Sequence, residues 1–209
     1  MLCHTLFSQA LIRVMSDSPP DADLEAMKRL IEGDDLALNS IMQRWKDKLA
    51  SFLYRLTGSH EAACDLAQET FVRLYQSRSR YQPSAAFPTY LFHIAANLAR
   101  NHARWRIRHP AVSTEDCADT IQQMTGHESS PDEVAQHHEN TARIERALAS
   151  LPIEHRQVLL LRVLHGLSAS ECASALGMKE DQVHSQVSYA RRRLREHMEQ
   201  AGERRREAR

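Results

Sequence analysis

Glycine is scarce, six in 209 residues, and no stretch alternates apolar and polar residues between turn dipeptides. That excludes a protein built from β-hairpins. Cysteine is as thin: Cys3, Cys64, Cys117 and Cys172 stand far apart with no C-x-x-C pair. The spacing fits neither a zinc site nor a disulfide framework, so the expected setting is a reducing cytoplasm. Excess charge is missing too. The 27 basic and 27 acidic residues cancel, which argues against a polybasic coat for any nucleic acid. No apolar run approaches membrane-spanning length. The opening MLCHTLFSQALIRV lacks the basic start and cleavage site of a signal peptide, and Met15 serves as well as Met1 for a start. Also absent are G-x-x-x-x-G-K-[ST], G-x-G-x-x-G and G-x-S-x-G. No paired carboxylates suit acid–base work, and His137 and His138 beside Glu139 lack further ligands at metal spacing. No catalytic residue, metal, cofactor or small-molecule substrate is expected. The chain does not read as an enzyme.

What is present is helical periodicity, and the fold class it predicts is all-α. Leu24, Met27, Leu30 and Ile31 mark a short helix that stops at Gly33. Leu38, Ile41, Trp45, Leu49, Phe52, Leu53 and Leu56 mark a longer one ending near Gly58. Ser59 can cap a third, with Ala63, Leu66, Ala67, Thr70, Phe71 and Leu74 inward and Asp65, Gln68, Glu69, Arg73 and Gln76 on the other side. After a loop over 78–87, Pro88 suits a first helical position. The fourth helix then runs to about Arg108, where Pro110 ends it. Leu91, Ile94, Ala95, Leu98 and His102 would face inward, and Arg100, Asn101, Arg104 and Arg108 outward, with Tyr90, Phe92, Asn97 and Trp105 at the borders.

From His109 to Ala142 there is no Lys or Arg, only acids such as Glu115, Asp116, Asp119 and Asp132. The sequence thus divides into a leader (1–20), a first domain of four helices (21–109), a flexible acidic linker (110–132), a second domain (133–200) and a tail (201–209). In the second domain Val134, Ile144, Leu148 and Leu151 outline a helix ending before Pro152, and Val158, Leu159, Leu161, Arg162 and Val163 outline the next. Ser168 and Glu171 then make an S-x-x-E capping box. Ala169, Cys172, Ala173 and Leu176 follow on one face, Gly177 turns the chain, and Val183, Val187, Ala190, Leu194 and Met198 form a second stripe. The front of that last helix carries Gln182, His184, Ser185, Gln186, Ser188, Arg191 and Arg192. An apolar back and an amide- and arginine-rich front suit a helix lying in a major groove.

Three runs carry a family resemblance: DLAQETFVRLY (Asp65 to Tyr75), FPTYLFHIAANLARNHAR (Phe87 to Arg104) and LPIEHRQVLLLRVLHGLSASECASALGMKEDQV (Leu151 to Val183). In this order the chain resembles a bacterial RNA polymerase sigma factor of the extracytoplasmic-function (ECF) group. The resemblance implies that Asp65, Gln68, Glu69 and Arg73 bind the clamp of the largest subunit of core RNA polymerase. Taken alone, such i,i+4 charges are an ordinary solvated face, worth ~0.2–0.5 kcal/mol per pair. Phe71 and Leu74 read as core.

The loop and basic helix would melt and hold the promoter's minus-ten strand through Arg80, Tyr81, Asn97, Arg100, Asn101, Arg104, Trp105, Arg106 and Arg108. Opened strands expose base faces and phosphates, which aromatics and arginines take. Phe87 and Tyr90 fit either that role or the core. Lys179, Asp181, Gln182, His184, Ser185, Gln186 and Ser188 would approach minus-thirty-five DNA, with Arg191, Arg192 and Arg195 on its backbone or on the polymerase. Asp181 either accepts from cytosine or caps its helix.

The chain departs from many relatives at Tyr90, where they have Trp, and at RWRIRHP, where they have unbroken arginines. It departs again at His184 and Gln186, where they carry Lys and Arg. Gln prefers adenine and Arg guanine, at about 1–3 kcal/mol per good contact, so base preference should differ there. The resemblance further implies docking on the flap of the second-largest subunit, a linker near the RNA exit path, and an anti-sigma partner, often at the inner membrane face. The alternative is a stand-alone helix-turn-helix regulator, which would need a two-fold partner and a palindromic site.

Overall fold

The computed structural model describes residues 20–82, 86–109 and 141–207, and the architecture is all-α, with no strand among the described residues. In the first domain α1 spans Pro20–Ile31, α2 Leu36–Thr57, α3 His60–Gln76 and α4 Phe87–Arg108, with a 3-10 turn at Arg78–Arg80. The helices end where their sequences say. Gly58 closes α2 with a left-handed φ of 72° and donates its N–H to Tyr54 O. Ser59 caps α3 by accepting from Ala62 N. Pro88 sits in the first turn of α4.

Ile41, Trp45, Leu49, Phe52, Leu53 and Leu56 form the buried stripe of α2, against which α1, α3 and α4 pack. Buried Asp23 pins α1 to it: its carboxylate accepts from Arg44 Nε at 2.7 Å and Trp45 Nε1 at 3.1 Å. Both bonds are needed, since a buried carboxylate without donors is costly. Ile31, expected inward, is exposed instead.

In the second domain residues 141–149 form helix α5, followed by α6 (Ile153–Leu159), α7 (Ala169–Leu176) and α8 (Glu180–Glu207). The sequence predicts a plain helix from Val158 onward. Instead α6 runs into a π turn at Leu160–Leu164, closed by His165 N–H to Leu160 O at 3.1 Å. The extra residue rotates the face, so Leu160 and Leu164 are buried while Arg162 and Val163 are only partly covered. The capping box is complete: Glu171 N donates to Ser168 Oγ at 3.1 Å and Ser168 N to Glu171 Oε2 at 2.7 Å. Ala175 rather than Ala173 joins Ala169, Cys172 and Leu176 in the buried face of α7. Gly177, at φ 68°, makes the turn.

The two domains pack together. Helix α7 lies against α4, and α6 touches both α2 and α4. This explains why α4 is buried across more than one stripe, with Phe92, Ala96 and Ala99 as enclosed as Leu91, Ala95 and Leu98. The acidic stretch 110–132, Val134, His137, His138 and Glu139 lie outside the described residues, as does the leader up to residue 19.

Candidate polymerase and nucleic-acid interfaces

Three helix faces carry the predicted side chains. On α3, Asp65, Gln68 and Arg73 are exposed and Glu69 is half-buried. Glu69 Oε1 pairs with Arg73 Nε at 2.7 Å, an i,i+4 bridge on an open surface. Between them stands Val72, 47% exposed, which the helical stripe alone does not single out.

On α4 the predicted set divides. Asn101, Arg104, Trp105, Arg106 and Arg108 are exposed along the C-terminal half. Trp105, 45% exposed, stacks on His109 with centroids 4.8 Å apart and planes at 22°, and Ile107 beside it is 81% exposed. Arg106 Nη1 also donates to Thr57 O at 3.2 Å, tying the end of α4 to the end of α2. His102, among these arginines, has its pKa lowered by burial and by Arg106.

Asn97 and Arg100 are half-buried and bonded to each other, and Asn97 Nδ2 lies 3.1 Å from His93 Nε2. Arg80 is exposed on its 3-10 turn. Tyr81 is not presented. It is 6% exposed and packs against Tyr90 at 5.2 Å and Phe87 at 6.4 Å, so the expected stacking platform is part of the core. Phe87 is core as well, and half-buried Tyr90 hydrogen-bonds Ser77 Oγ at 2.7 Å through its hydroxyl. From Asn101 to Arg108 the helix rises about 10 Å, so the exposed groups form a short track rather than a point.

On α8, Val183, Val187, Ala190 and Leu194 are buried, while Lys179, Asp181, Gln182, His184, Ser185, Ser188, Arg191, Arg192 and Arg195 are exposed. The cap is not Asp181: Gln182 Oε1 accepts from Lys179 N at 2.9 Å. Asp181 stays in the first turn, where a carboxylate suits the positive helix end. Gln186 is half-buried and its Oε1 is buried without a hydrogen-bond partner, so this side chain must rotate to offer both amide atoms to a base edge. Tyr189, which the stripe pattern overlooks, packs tilted against His155 of α6 at 4.5 Å and takes Arg192 over its ring at 5.6 Å. Arg193 pairs with Glu196 at 3.0 Å. Burial pushes the Cys172 thiol up to about 12, so it is inert packing.

The chain is similar to known proteins over most of its length. Residues 41–108 match the family described as Sigma-70 region 2, and residues 141–194 match Sigma-70, region 4. The ECF RNA polymerase sigma factor SigE of Mycolicibacterium smegmatis is 31% identical over 169 residues, 79% of this chain, which spans 64% of that relative's length. The ECF RNA polymerase sigma-E factor of Escherichia coli K12 is 30% identical over 173 residues, 81% of this chain and 90% of the relative. Among solved structures, CnrH in complex with the cytosolic domain of CnrY aligns at TM-score 0.64 and 21% identity, over 85% of this chain and 97% of that one. The sigma factor RpoE of Bartonella quintana, solved with the anti-sigma factor NepR, aligns at TM-score 0.62 and 22% identity, over 77% and 96%.

Proposed function

The chain belongs to the ECF group of RNA polymerase sigma factors, and from that premise we propose how its three faces divide the work of promoter recognition. Helix α3 docks on the clamp of the largest polymerase subunit through Asp65, Gln68, Glu69 and Arg73, with Val72 as the apolar centre. Helix α8 enters the major groove of the minus-thirty-five element. Its buried valines fix the helix in its domain, so Gln182, His184 and Ser185 are delivered rigidly to base edges. Arg191, Arg192 and Arg195 take phosphates or the flap of the second-largest subunit.

The C-terminal half of α4 holds the opened minus-ten strand. Trp105 offers a base-stacking surface and Arg104, Arg106 and Arg108 offer phosphate contacts. Nucleotide chemistry belongs to the core enzyme. An anti-sigma protein is the proposed regulator, by likeness to relatives solved with such partners.

The observation that carries this reading is the outward placement of all three polar faces on helices whose backs are buried. A stand-alone regulator would need α8 but not the exposed face of α3. The test is runoff transcription with sigma-free core polymerase and genomic promoter fragments. A promoter-dependent transcript is expected. No transcript from any fragment, together with tight binding of the free protein to a palindrome, would overturn the reading.

A further inference from the structure

The two domains meet through polar side chains that reach across to backbone carbonyls. Arg156, in the first turns of α6, donates to Arg55 O at 3.3 Å and Leu56 O at 3.0 Å, at the C-terminal end of α2. It also donates to Ala149 O at 2.7 Å and Leu151 O at 2.9 Å in its own domain. Gln157, 1% exposed, donates from Nε2 to Ala96 O of α4 at 2.8 Å. His93 Nδ1 lies 2.8 Å from Ala175 O of α7. A carbonyl only accepts, so Nδ1 holds the proton and Nε2 accepts from Asn97, whose Oδ1 accepts from Arg100. One chain of bonds therefore runs from the basic face of α4 into the helix-turn-helix.

At the centre of this contact is His165, just after the π turn. Its ring lies 4.4 Å from Phe92 of α4 and 5.5 Å from Phe52 of α2, and its Nε2 is buried with no hydrogen-bond partner. An imidazole wedged there must be neutral. Burial, with Arg55 and Lys48 of α2 as the charges acting on it, pushes its pKa down to about 3. The other ionisable groups nearby face elsewhere. Glu145 of α5 acts on Arg55, His93 of α4 turns to Ala175 O, and Arg162 of the π turn donates to Leu167 O.

We propose that His165 makes the domain contact a proton-sensitive clasp: the free chain rests closed, with α7 on α4, and mild acid releases the second domain. In the closed form Asn97 and Arg100 are committed to His93 and to each other, and the two DNA-reading helices are held at one fixed spacing. That inhibitory meaning rests on the promoter reading above. The clasp itself does not.

Only neutral His165 fits the closed form, whereas in the open form it regains an ordinary value of about 6.5. Above about pH 6.5 both forms are neutral and the clasp has its full strength. Below it the open form takes up a proton that the closed form refuses, and the closed-to-open ratio falls about tenfold per pH unit, down to the closed-form value.

The test is energy transfer between dyes carried at Glu61 and Glu199 of the full chain, followed from pH 7.5 to 5. The closed-to-open ratio should fall about tenfold between pH 7.5 and 5.5, most of it below pH 6.5. His165→Phe, which keeps a ring but cannot titrate, should flatten the response while helical circular dichroism stays unchanged. His165→Leu gives the same readout should the larger ring not fit. A flat response in the natural chain, or a slope that survives in both variants, would overturn the clasp. Runoff transcription on the same samples separates the two readings: a pH-dependent clasp without any transcript counts against the promoter reading alone.

Discussion

Ser168 shows how much one side chain can fix. Its hydroxyl and the Glu171 carboxylate satisfy each other's backbone N–H groups, and this sets where α7 starts. Ser168→Ala should cost about 1 kcal/mol, read as a lower denaturant midpoint at unchanged slope. Sequence spacing revealed this cap because both partners lie within four residues of each other. The same locality made Ser59 and Gly58 legible. It failed for Tyr81, which in sequence looks like Trp105, another aromatic near arginines. Tyr81 is enclosed by Tyr90 and Phe87, whereas Trp105 stacks on His109 and is 45% exposed. Which ring is buried depends on how the loop folds back, and no periodicity encodes that.

Helices were the most legible scale, since a 3.6-residue stripe of Leu, Ile and Phe states its own buried face. The π turn after α6 was the exception. One inserted residue shifts the face without leaving a compositional mark, and the turn exists because Leu160 and Leu164 both reach the core. Helix α3 carries the sharpest prediction at this scale. Asp65→Arg should abolish capture of core polymerase, and Val72→Asp should weaken it about tenfold, because docking would bury an unpaired carboxylate. Both variants should keep the thermal midpoint of the natural chain, because neither side chain is buried. Pull-down with purified core, alongside thermal circular dichroism, checks both parts.

For the molecule as a whole, the packing of one domain on the other was illegible. Gln157, Arg156 and His165 are polar, and a sequence reading assigns such residues to water. Gln157 is buried and Arg156 and His165 are half-buried, because the other domain supplies carbonyls and phenyl rings, partners fifty or more positions away. Arg156→Met should therefore lower the closed-to-open ratio at pH 7.5 by about tenfold or more, since each hydrogen bond to a charged group contributes ~1.5 kcal/mol. Small-angle scattering should register the change as a larger radius of gyration.

The choice of acceptors at this contact has a consequence for how the chain tolerates change. Arg156 and Gln157 grip main-chain oxygens, which every residue possesses, so the side chain at Leu56 or Ala96 can drift without removing the acceptor. The rings around His165 have no such freedom. Random variation at the acceptor positions should therefore leave the grip of the two domains intact, and losses should concentrate at the donors Arg156 and Gln157 and at the aromatic positions Phe52, Phe92 and His165.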